Sequence, residues 1–469
     1  MPLLPDTKRH LVAQIHKRLK MRLAPITVVR GPRQIGKTTA QLHVIEDLLK
    51  AGTPPTHIFR VQFDELTELL KLQEPLLRLV DWYESTLLGD TLNNIAREGK
   101  SVYLFFDEVQ NLDEWAAQLK HLVDTSSVQV VVTGSSALRI EMGRDSLAGR
   151  ISTLEAGTLS LTEIGSLRHI ALGTPFLKDN GLEPLLRSDF WRDLALHGQN
   201  INGTRDEVFG WFAQRGGYPL VHQRADVEWA DLADQLNETV IKRVIQHDLR
   251  IGERGRKRNA SLLEEVFRLA CRYAGQCPSA QSLALEANAA FGAGVGDERI
   301  QHYLRFLGDT LLLRLIPPLE IRLKKKRGAS KICLADHGLR ASWLQEMVPL
   351  TPSEPQQAPV LSTLAGHIAE SVVGATLSTV NGLDISHSPE RSNEPEVDFV
   401  LTVGVQRIPI EVKYQRNIDP VRDTSGVRAF MDKTVNRASF AILVTQSDTN
   451  LVFDPRIIAL PLSSLMLMR

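Results

Sequence analysis

Cysteine is scarce in this chain of 469 residues, with three occurrences at Cys271, Cys277 and Cys333. None of them forms a C-x-x-C pair, so the sequence supports neither a disulfide framework nor a zinc site of the usual spacing. So few thiols are typical of a protein of the reducing cytoplasm, and we expect the chain there.

The sequence also lacks an excess of either charge, a long apolar run and a targeting segment. Lys and Arg together number 55, as do Asp and Glu, so the formal net charge is zero. Any attraction for nucleic acid must therefore come from a local basic segment. Because no run of about 18 apolar residues occurs, we expect no membrane span. The first residues lack the charged-then-apolar order of a signal peptide.

A glycine-rich octapeptide, Gly31 to Thr38, matches the phosphate-binding pattern G-x-x-x-x-G-K-[ST]. The apolar segment 26–29 precedes it as a short strand, and residues 39–50 follow with helical spacing. This order presents backbone N–H groups and a helix N-terminus to a polyanion. Lys37 would place its charge on the β- and γ-phosphates, and Thr38 would offer its hydroxyl to Mg²⁺. The predicted nucleotide contacts in this segment are Gly31, Pro32, Arg33, Gln34, Ile35, Gly36, Lys37, Thr38 and Thr39.

A second apolar strand, 102–106, ends in the adjacent acids Asp107 and Glu108. Its uninterrupted apolar run is typical of a central parallel strand that is covered on both faces. Asp107 would hold Mg²⁺, and Glu108 would act as a general base or position the attacking water. Taken alone, two acids here also fit an ordinary strand-to-loop boundary. Their pairing with the phosphate loop favours the Walker B interpretation.

Four motifs in this order resemble the AAA+ superfamily: the phosphate loop, Phe-Asp-Glu-Val-Gln at 106–110, Thr-Gly-Ser-Ser at 133–136 and Leu-Ala-Gly-Arg at 147–150. The group of greatest similarity comprises prokaryotic ATPases that carry a C-terminal region of unknown function. The resemblance implies ATP and Mg²⁺ as cofactors. It also implies a homo-oligomer, with a hexameric ring as the family's usual form.

The same resemblance implies roles for two further positions. Thr133 and Ser135 are alternative candidates for a sensor of the γ-phosphate or lytic water, although a turn rich in small polar residues explains them equally well. Arg150 is a candidate arginine finger that reaches a nucleotide in cis or from a neighbouring subunit. A surface arginine is the alternative, and Arg139 and Arg144 compete for the role.

The length predicts two to four domains, because one hydrophobic core does not serve 469 residues. We predict an α/β chain that begins with a P-loop AAA+ core built on a parallel sheet. The four predicted domains are an AAA+ ATPase core at 1–165, a helical lid and linker at 166–255, a winged-helix-like domain at 256–350 and a restriction-endonuclease-like α/β domain at 351–469.

The third predicted domain has three helical segments, which begin near residues 261, 279 and 297. Two apolar strands follow, at 310–316 and 331–334, with a basic segment between them. This pattern suggests a winged helix whose basic hairpin meets DNA phosphates. A protein-docking module and an ordinary solvated loop are the alternatives. The predicted nucleic-acid contacts are Arg322, Lys324, Lys325, Lys326 and Arg327.

The last predicted domain begins after a Pro- and Gln-rich linker, 352–359. A helix that carries Glu370, a strand that carries Asp398 and a strand with Glu411-Val-Lys413 follow. This order resembles the PD-(D/E)XK nuclease-like fold. Because residues two apart on a strand share a face, Glu411 and Lys413 point the same way. The resemblance implies that Asp398 and Glu411, joined by Glu370, bind Mg²⁺ or Mn²⁺ and that Lys413 orients water or stabilises the phosphate.

Two phosphate-directed sites in one chain favour an AAA+ ATPase that couples its nucleotide state to DNA engagement by translocation, remodelling or cleavage. Lys37, Thr38, Asp107 and Glu108 would carry ATP hydrolysis. A signalling or switch ATPase is the alternative, in which the C-terminal domain binds a protein or nucleic acid without cutting it. An ATP-dependent scaffold is a third interpretation. A fold does not by itself imply an activity, so cleavage stays open at this stage.

Overall fold

The computed structural model describes residues 4–64, 72–134, 147–177, 181–248, 259–291, 294–320, 328–348, 350–351, 361–390, 395–448 and 452–469. Contacts divide the chain into two compact units, Met1–Gly157 and Thr158–Arg469. We call them unit 1 and unit 2. The four-domain division stays a prediction.

Unit 1 is built on a sheet whose described strands all run parallel, in the order β2-β3-β4-β1-β5. These strands are β1 (Ile26–Arg30), β2 (Ile58–Gln62), β3 (Tyr103–Asp107), β4 (Gln129–Gly134) and β5 (Ile151–Glu155). The described helices are α1 (His10–Met21), α2 (Lys37–Lys50), α3 (Pro75–Tyr83), α4 (Leu92–Arg97) and α5 (Trp115–Thr125).

The apolar sequences of the central strands explain this architecture. Side chains of β3 and β4 are buried on both faces, as parallel strands covered by helices require. Their core includes Leu104, Phe106, Val130 and Val132. Since every described strand of the sheet runs the same way, all carboxyl ends meet at one edge. The segments that follow β1 and β3 therefore lie at the same edge of the sheet.

Unit 2 begins with mainly helical chain. Its described helices up to residue 344 are α6 (Leu161–Leu167), α7 (Ser188–Asn200), α8 (Asn202–Arg215), α9 (Pro219–Gln223), α10 (Trp229–Leu236), α11 (Ala260–Arg272), α12 (Ala280–Phe291), α13 (Asp297–Asp309) and α14 (His337–Leu344). Strands β6 (Leu313–Ile316) and β7 (Lys331–Leu334) pair antiparallel after α13. Within residues 260–334, the described elements are thus the three helices α11, α12 and α13 and the two-stranded ribbon of β6 and β7. Its assignment as a winged helix stays a prediction.

The rest of unit 2 is an α/β arrangement around a mixed sheet of order β12-β11-β10-β9-β8. Its strands are β8 (Asp384–Ser388), β9 (Val397–Val403), β10 (Gln406–Lys413), β11 (Ala441–Thr445) and β12 (Ile457–Pro461), and the described helices are α15 (Ser362–Ser378), α16 (Ser425–Asp432) and α17 (Leu462–Leu465). β8, β9 and β10 pair antiparallel, whereas β10, β11 and β12 pair parallel. One apolar core joins Leu161 and Trp191 to Phe399 and Ile442, so the early helices and this sheet share their interior.

Candidate functional site

The phosphate loop of unit 1 turns sharply between β1 and α2. Gln34 and Gly36 have φ angles of 62° and 86°, and α2 begins at Lys37. No side chain caps the helix at Gly36. Backbone N–H groups at the start of a helix, and those of a turn that passes through the left-handed region, form a concave anion site. The loop therefore has the backbone geometry that a phosphate chain requires.

Gly31 must be glycine because the chain passes too close for a side chain. A Cβ atom there would lie 2.4 Å from the Ala156 carbonyl oxygen and 2.6 Å from Cδ1 of Ile35. The carbonyl belongs to the backbone that follows β5, and it cannot move without disturbing the sheet edge. The loop is also braced by Arg9, whose guanidinium donates to the carbonyls of Ile35 at 2.6 Å and Gly157 at 3.0 Å. Sequence reasoning missed Arg9, which lies outside the loop motif.

The Lys37 side chain is folded back over the loop. Its Nζ donates to the carbonyls of Gly31 at 2.9 Å and Pro32 at 2.7 Å, and the residue is 6% exposed. The same ammonium can turn to nucleotide phosphates, which are stronger acceptors than neutral carbonyls. Thr38 and Thr39 follow in the first turn of α2 and are half-buried.

Asp107 lies at the carboxyl end of β3 and is 1% exposed. The Thr133 hydroxyl donates to Oδ1, and Arg60 on β2 donates to Oδ2 at 3.1 Å. Arg60 also donates to Gln41 at 3.1 Å. Thr133 thus touches the acid of the predicted Walker B motif. Arg60 is a further partner of that acid, and no sequence motif indicates it. A hydroxyl and a carboxylate are oxygen donors of the kind that Mg²⁺ prefers, so Thr38 and Asp107 fit that ion.

Glu108 has a φ angle of 52°, an unusual backbone region for a residue other than glycine. Its carboxylate accepts a hydrogen bond from the Gln110 amide. Such backbone strain is often found at functional sites, where surrounding structure holds it in place. Glu108 directly follows Asp107, at the edge of the sheet where the phosphate loop lies.

Arg150 lies at the opposite edge of the sheet. It directly precedes β5, and its carbonyl accepts from the N–H of Ile26 at the start of β1. The five residues of β1 separate this edge from the loop, which is about 16 Å at the usual rise per residue. Arg150 instead donates to both carboxylate oxygens of Asp124, at 2.5 and 3.0 Å. Within one chain the structure therefore does not bring Arg150 to the phosphate loop. Action from a neighbouring subunit stays a prediction.

In unit 2, α15, β9 and β10 bring together the four residues predicted there. Asp398 Oδ2 accepts from the backbone N–H of Val412 at 2.9 Å, which fixes it between Glu411 and Lys413. Lys413 Nζ donates to Glu411 Oε1 at 2.6 Å. Glu370 on α15 belongs to the same cluster, because its carboxylate interacts electrostatically with the carboxylates of Asp398 and Glu411.

Lys331 completes this cluster, and sequence reasoning missed it. It is the first residue of β7 and is 1% exposed. Its Nζ lies 2.8 Å from Glu370 Oε2 and 2.8 Å from Asp398 Oδ1. It also lies 5.0 Å from the centre of the Phe399 ring. A buried ammonium thus occupies the position between the two carboxylates that a metal ion would take.

The pKa shifts in the cluster follow from burial and these charges. Burial alone would lower the pKa of Lys331, but the carboxylates of Asp398 and Glu370 hold it well above its ordinary value. Burial, and then the charge of Asp398, raise the pKa of Glu411 to about 8. Burial would also raise the pKa of Asp398, but Lys331 keeps it below its usual value.

In this arrangement Lys331 competes with a divalent metal. It engages one oxygen of Glu370 and one of Asp398, so an ion that bound those two atoms would have to displace a buried ammonium. Burial raises the pKa of Glu411, which opposes its deprotonated form. Metal ligands have to be deprotonated.

Some predicted contacts lie outside the described residues. These are Ser135, the competing arginines Arg139 and Arg144, and the basic segment Arg322, Lys324, Lys325, Lys326 and Arg327.

Comparison with known proteins gives a family for part of the chain. Residues 24–165 match the family described as "AAA domain". Together with the parallel sheet and the phosphate loop, this confirms the prediction of a P-loop AAA+ core. Residues 210–348 and 365–465 match two families described as domains of unknown function, DUF8612 and DUF4143. No curated protein matches the chain.

Solved structures of low overall similarity include the following two. The RuvB Holliday junction branch migration motor of Thermotoga maritima is 14% identical, with a TM-score of 0.28 over 66% of this chain and 90% of that one. Cdc6p from Pyrobaculum aerophilum is 13% identical, with a TM-score of 0.27 over 73% of this chain and 95% of that one. Among the described residues, no helix has both the length and the apolar character needed to cross a membrane.

Proposed function

We propose that this protein binds and hydrolyses ATP with Mg²⁺ and uses its nucleotide state to control DNA engagement by the rest of the chain. Lys37 would hold the β- and γ-phosphates, and Thr38 and Asp107 would hold the ion. Mg²⁺ would neutralise charge that develops on the transferred phosphoryl group. Glu108 would orient the attacking water and accept its proton.

One observation carries this proposal: the anion-binding turn and the buried Asp107 lie at the same carboxyl edge of a parallel sheet. Lys37 is already positioned over the turn by two carbonyls at 2.7 and 2.9 Å. Positioning and electrostatic stabilisation account for most of catalysis in phosphoryl transfer, so such a preorganised site suits that reaction.

The link to DNA rests on the basic segment between β6 and β7, which includes Lys324 and Lys325. Several lysines and arginines in one short segment can neutralise backbone phosphates. We further propose a homo-oligomer, because Arg150 could act on a nucleotide only from another copy. ATP and unpaired thiols are both compatible with the cytoplasm as the site of action.

Steady-state ATP hydrolysis tests the proposal, measured with Mg²⁺ alone and then with single-stranded, duplex or branched DNA. We expect Lys37→Ala to lower turnover about 100-fold or more, by analogy with loss of one preorganised donor to a developing charge. Stimulation of the wild type by one DNA form supports coupling to DNA. Turnover that is unchanged in Lys37→Ala would refute the assigned site.

A switch ATPase whose C-terminal region binds without cutting is the second candidate, and Lys331 favours it. An ammonium paired at 2.8 Å with both Glu370 and Asp398 competes with the metal that cleavage would use. Incubation of plasmid and branched DNA with the protein, Mn²⁺ and ATP distinguishes the two candidates. Intact DNA, together with ATP-dependent DNA binding, supports the switch. Cleavage that is lost in Asp398→Asn supports a nuclease.

A further inference from the structure

Beside the acidic cluster of unit 2, three side chains of metal-ligating type converge. Cys277, His387 and Glu396 each present one ligand atom, and these atoms all lie within 4.8 Å of one another. No sequence motif joins them, because Cys277 and His387 are 110 positions apart. The three come from the α11–α12 connection, from β8 and from the residue before β9.

Backbone hydrogen bonds fix two of the three positions. Gly275 donates to the Ile332 carbonyl at 2.7 Å and the N–H of Ile332 donates to Gln276 at 2.9 Å, so the chain leading to Cys277 is tied to β7. His387 lies where the pairing of β8 with β9 shifts register, between Ser386 and Ser388. Irregularities of this kind re-aim a side chain and are common next to functional sites.

The hydrogen bond that His387 makes through Nε2 leaves Nδ1 available to bind a metal. Nε2 lies 3.0 Å from the Ala329 carbonyl oxygen. Because a carbonyl only accepts, Nε2 carries the proton and Nδ1 keeps its lone pair. Metal-bound histidines usually donate their second N–H to a carbonyl or carboxylate in this way. His387 is 1% exposed, so its ring is held inside the fold.

The separation of Cys277 Sγ and Nδ1 of His387 is close to that of a zinc site. It is 3.8 Å, and tetrahedral zinc with ordinary bond lengths to sulfur and nitrogen sets such ligand atoms about 3.6 Å apart. Sγ also lies 3.9 Å from Nε2, so it is nearly equidistant from the two ring nitrogens. Binding of one ion by both residues therefore requires a rotation of the Cys277 or His387 side chain.

The charges around the three residues also favour a cation. Glu396 lies 3.8 Å from Lys331, whose nearer partners, Glu370 and Asp398, are at 2.8 Å. Three carboxylates thus surround one ammonium, and the Glu396 side chain, half-exposed, is the one least engaged by it. Its carboxylate can turn to a metal without leaving Lys331 unpaired.

We propose that Cys277, His387 and Glu396 form a Zn²⁺ site, with water as the fourth ligand on the exposed side of Glu396. A mixed set of sulfur, nitrogen and oxygen ligands suits zinc better than Mg²⁺ or Ca²⁺, which prefer oxygen alone. The site would tie the connection before α12 to the edge of the mixed sheet. It is separate from the ATP site and does not depend on the proposed ATPase activity.

The test uses the full chain, stripped of metal with a chelator and then dialysed against Zn²⁺ or Co²⁺. We expect about one Zn²⁺ per chain, and a thiolate-to-cobalt charge-transfer absorption band with Co²⁺. Cys277→Ser should abolish that band and weaken Zn²⁺ binding at least about tenfold, and Glu396→Gln should weaken it by a similar factor. Glu396 is exposed enough that its substitution should leave the fold intact. Cys271→Ser, which removes a buried thiol outside the three-residue cluster, is the control and should bind as the wild type does.

Retention of no zinc by the wild type would overturn the proposal. Equal zinc binding in Cys277→Ser and the wild type, or an undiminished cobalt band in that variant, would overturn it too. Lys37→Ala should retain the metal, so that failure of the proposed ATPase and failure of the zinc site are distinguished.

Discussion

Replacement of Lys331 by methionine, which keeps most of the side chain's volume, removes the ammonium from the acidic cluster. A unit charge pair at 2.8 Å interacts by roughly 6 kcal/mol at an effective dielectric constant of about 20, before the cost of desolvation. Loss of one partner of a buried pair typically destabilises a protein by about 3–5 kcal/mol, because the remaining charge stays buried. We expect Lys331→Met to lower the stability of unit 2 by an amount in that range at pH 7.

The loss of stability that Lys331→Met causes should depend on pH. Without Lys331, Glu370 and Asp398 face each other while buried, so their folded-state pKa values should rise above the unfolded ones. Groups with a raised folded pKa favour the folded state below the unfolded pKa, near pH 4, and lose that contribution as pH rises. Lys331→Met should therefore approach the wild type in stability near pH 4–5 and fall furthest behind it above pH 7. Mn²⁺ should stabilise the variant, whose carboxylates are vacated, more than it stabilises the wild type.

Hydrogen exchange followed by mass spectrometry is the suitable assay, since it locates the loss on α15, β9 and β10 without assuming that two units unfold together. Lys413→Met is the matched control. Lys413 donates to Glu411 at 2.6 Å and is more exposed than Lys331, with 32% of its side chain accessible. Its loss should cost about 1 kcal/mol. A Lys331→Met protein with wild-type protection at pH 7, or with a deficit that does not change with pH, would refute this account.

Three further substitutions test other parts of the structure. Gly31→Ala should destabilise unit 1 by about 1–3 kcal/mol, because its methyl group would lie 2.4 Å from the carbonyl oxygen that follows β5. It should also abolish the rise in Tm that ATP causes. Gly203→Ala is the control, since the added atom has open space around it. Arg205→Ala should lower the free energy of unfolding of unit 2 by about 3–5 kcal/mol, as measured by urea denaturation. The reason is that Arg205 is 1% exposed and donates to both carboxylate oxygens of Asp448, at 2.7 and 3.0 Å. A loss below about 1 kcal/mol would contradict this prediction. Burial lowers the pKa of His222 to about 4, so unit 2 should lose about 3 kcal/mol as pH falls from 6.5 to 4, and His222→Gln should remove that part of the pH dependence.

The arrangement of the candidate nucleotide site was largely predictable because its parts are local in sequence. A strand, a glycine-rich turn and a helix that follow one another need only short-range geometry, so the loop from Gly31 and the acid Asp107 could be found from spacing. The partners of these residues are less visible. Arg9 and Arg60 approach from other elements, and an isolated arginine carries no motif that would reveal such a contact.

The C-terminal cluster shows the same limit. Glu370, Asp398 and Glu411 could be grouped because helix, hairpin and strand follow in order. Lys331 could not, since it is an ordinary first residue of a short strand that enters the cluster through tertiary packing. The spacing argument against zinc fails for the same reason: the ligands of the proposed site, Cys277 and His387, are adjacent only in the folded chain.

Because of the position of Lys331, a C-terminal fragment should differ from the intact chain in metal binding. It belongs to the segment that matches one family of unknown function, whereas Glu370 and Asp398 belong to the segment that matches the other. Hydrogen bonds also join the two segments, from the Leu334 N–H to the Ser371 hydroxyl at 2.8 Å and from the Leu319 N–H to the His387 carbonyl at 2.7 Å. A fragment that begins after residue 350 would lose the ammonium and expose the carboxylates to metal. We expect such a fragment to bind Mn²⁺ as Lys331→Met does, so nuclease activity found in it would describe the fragment and not the intact chain.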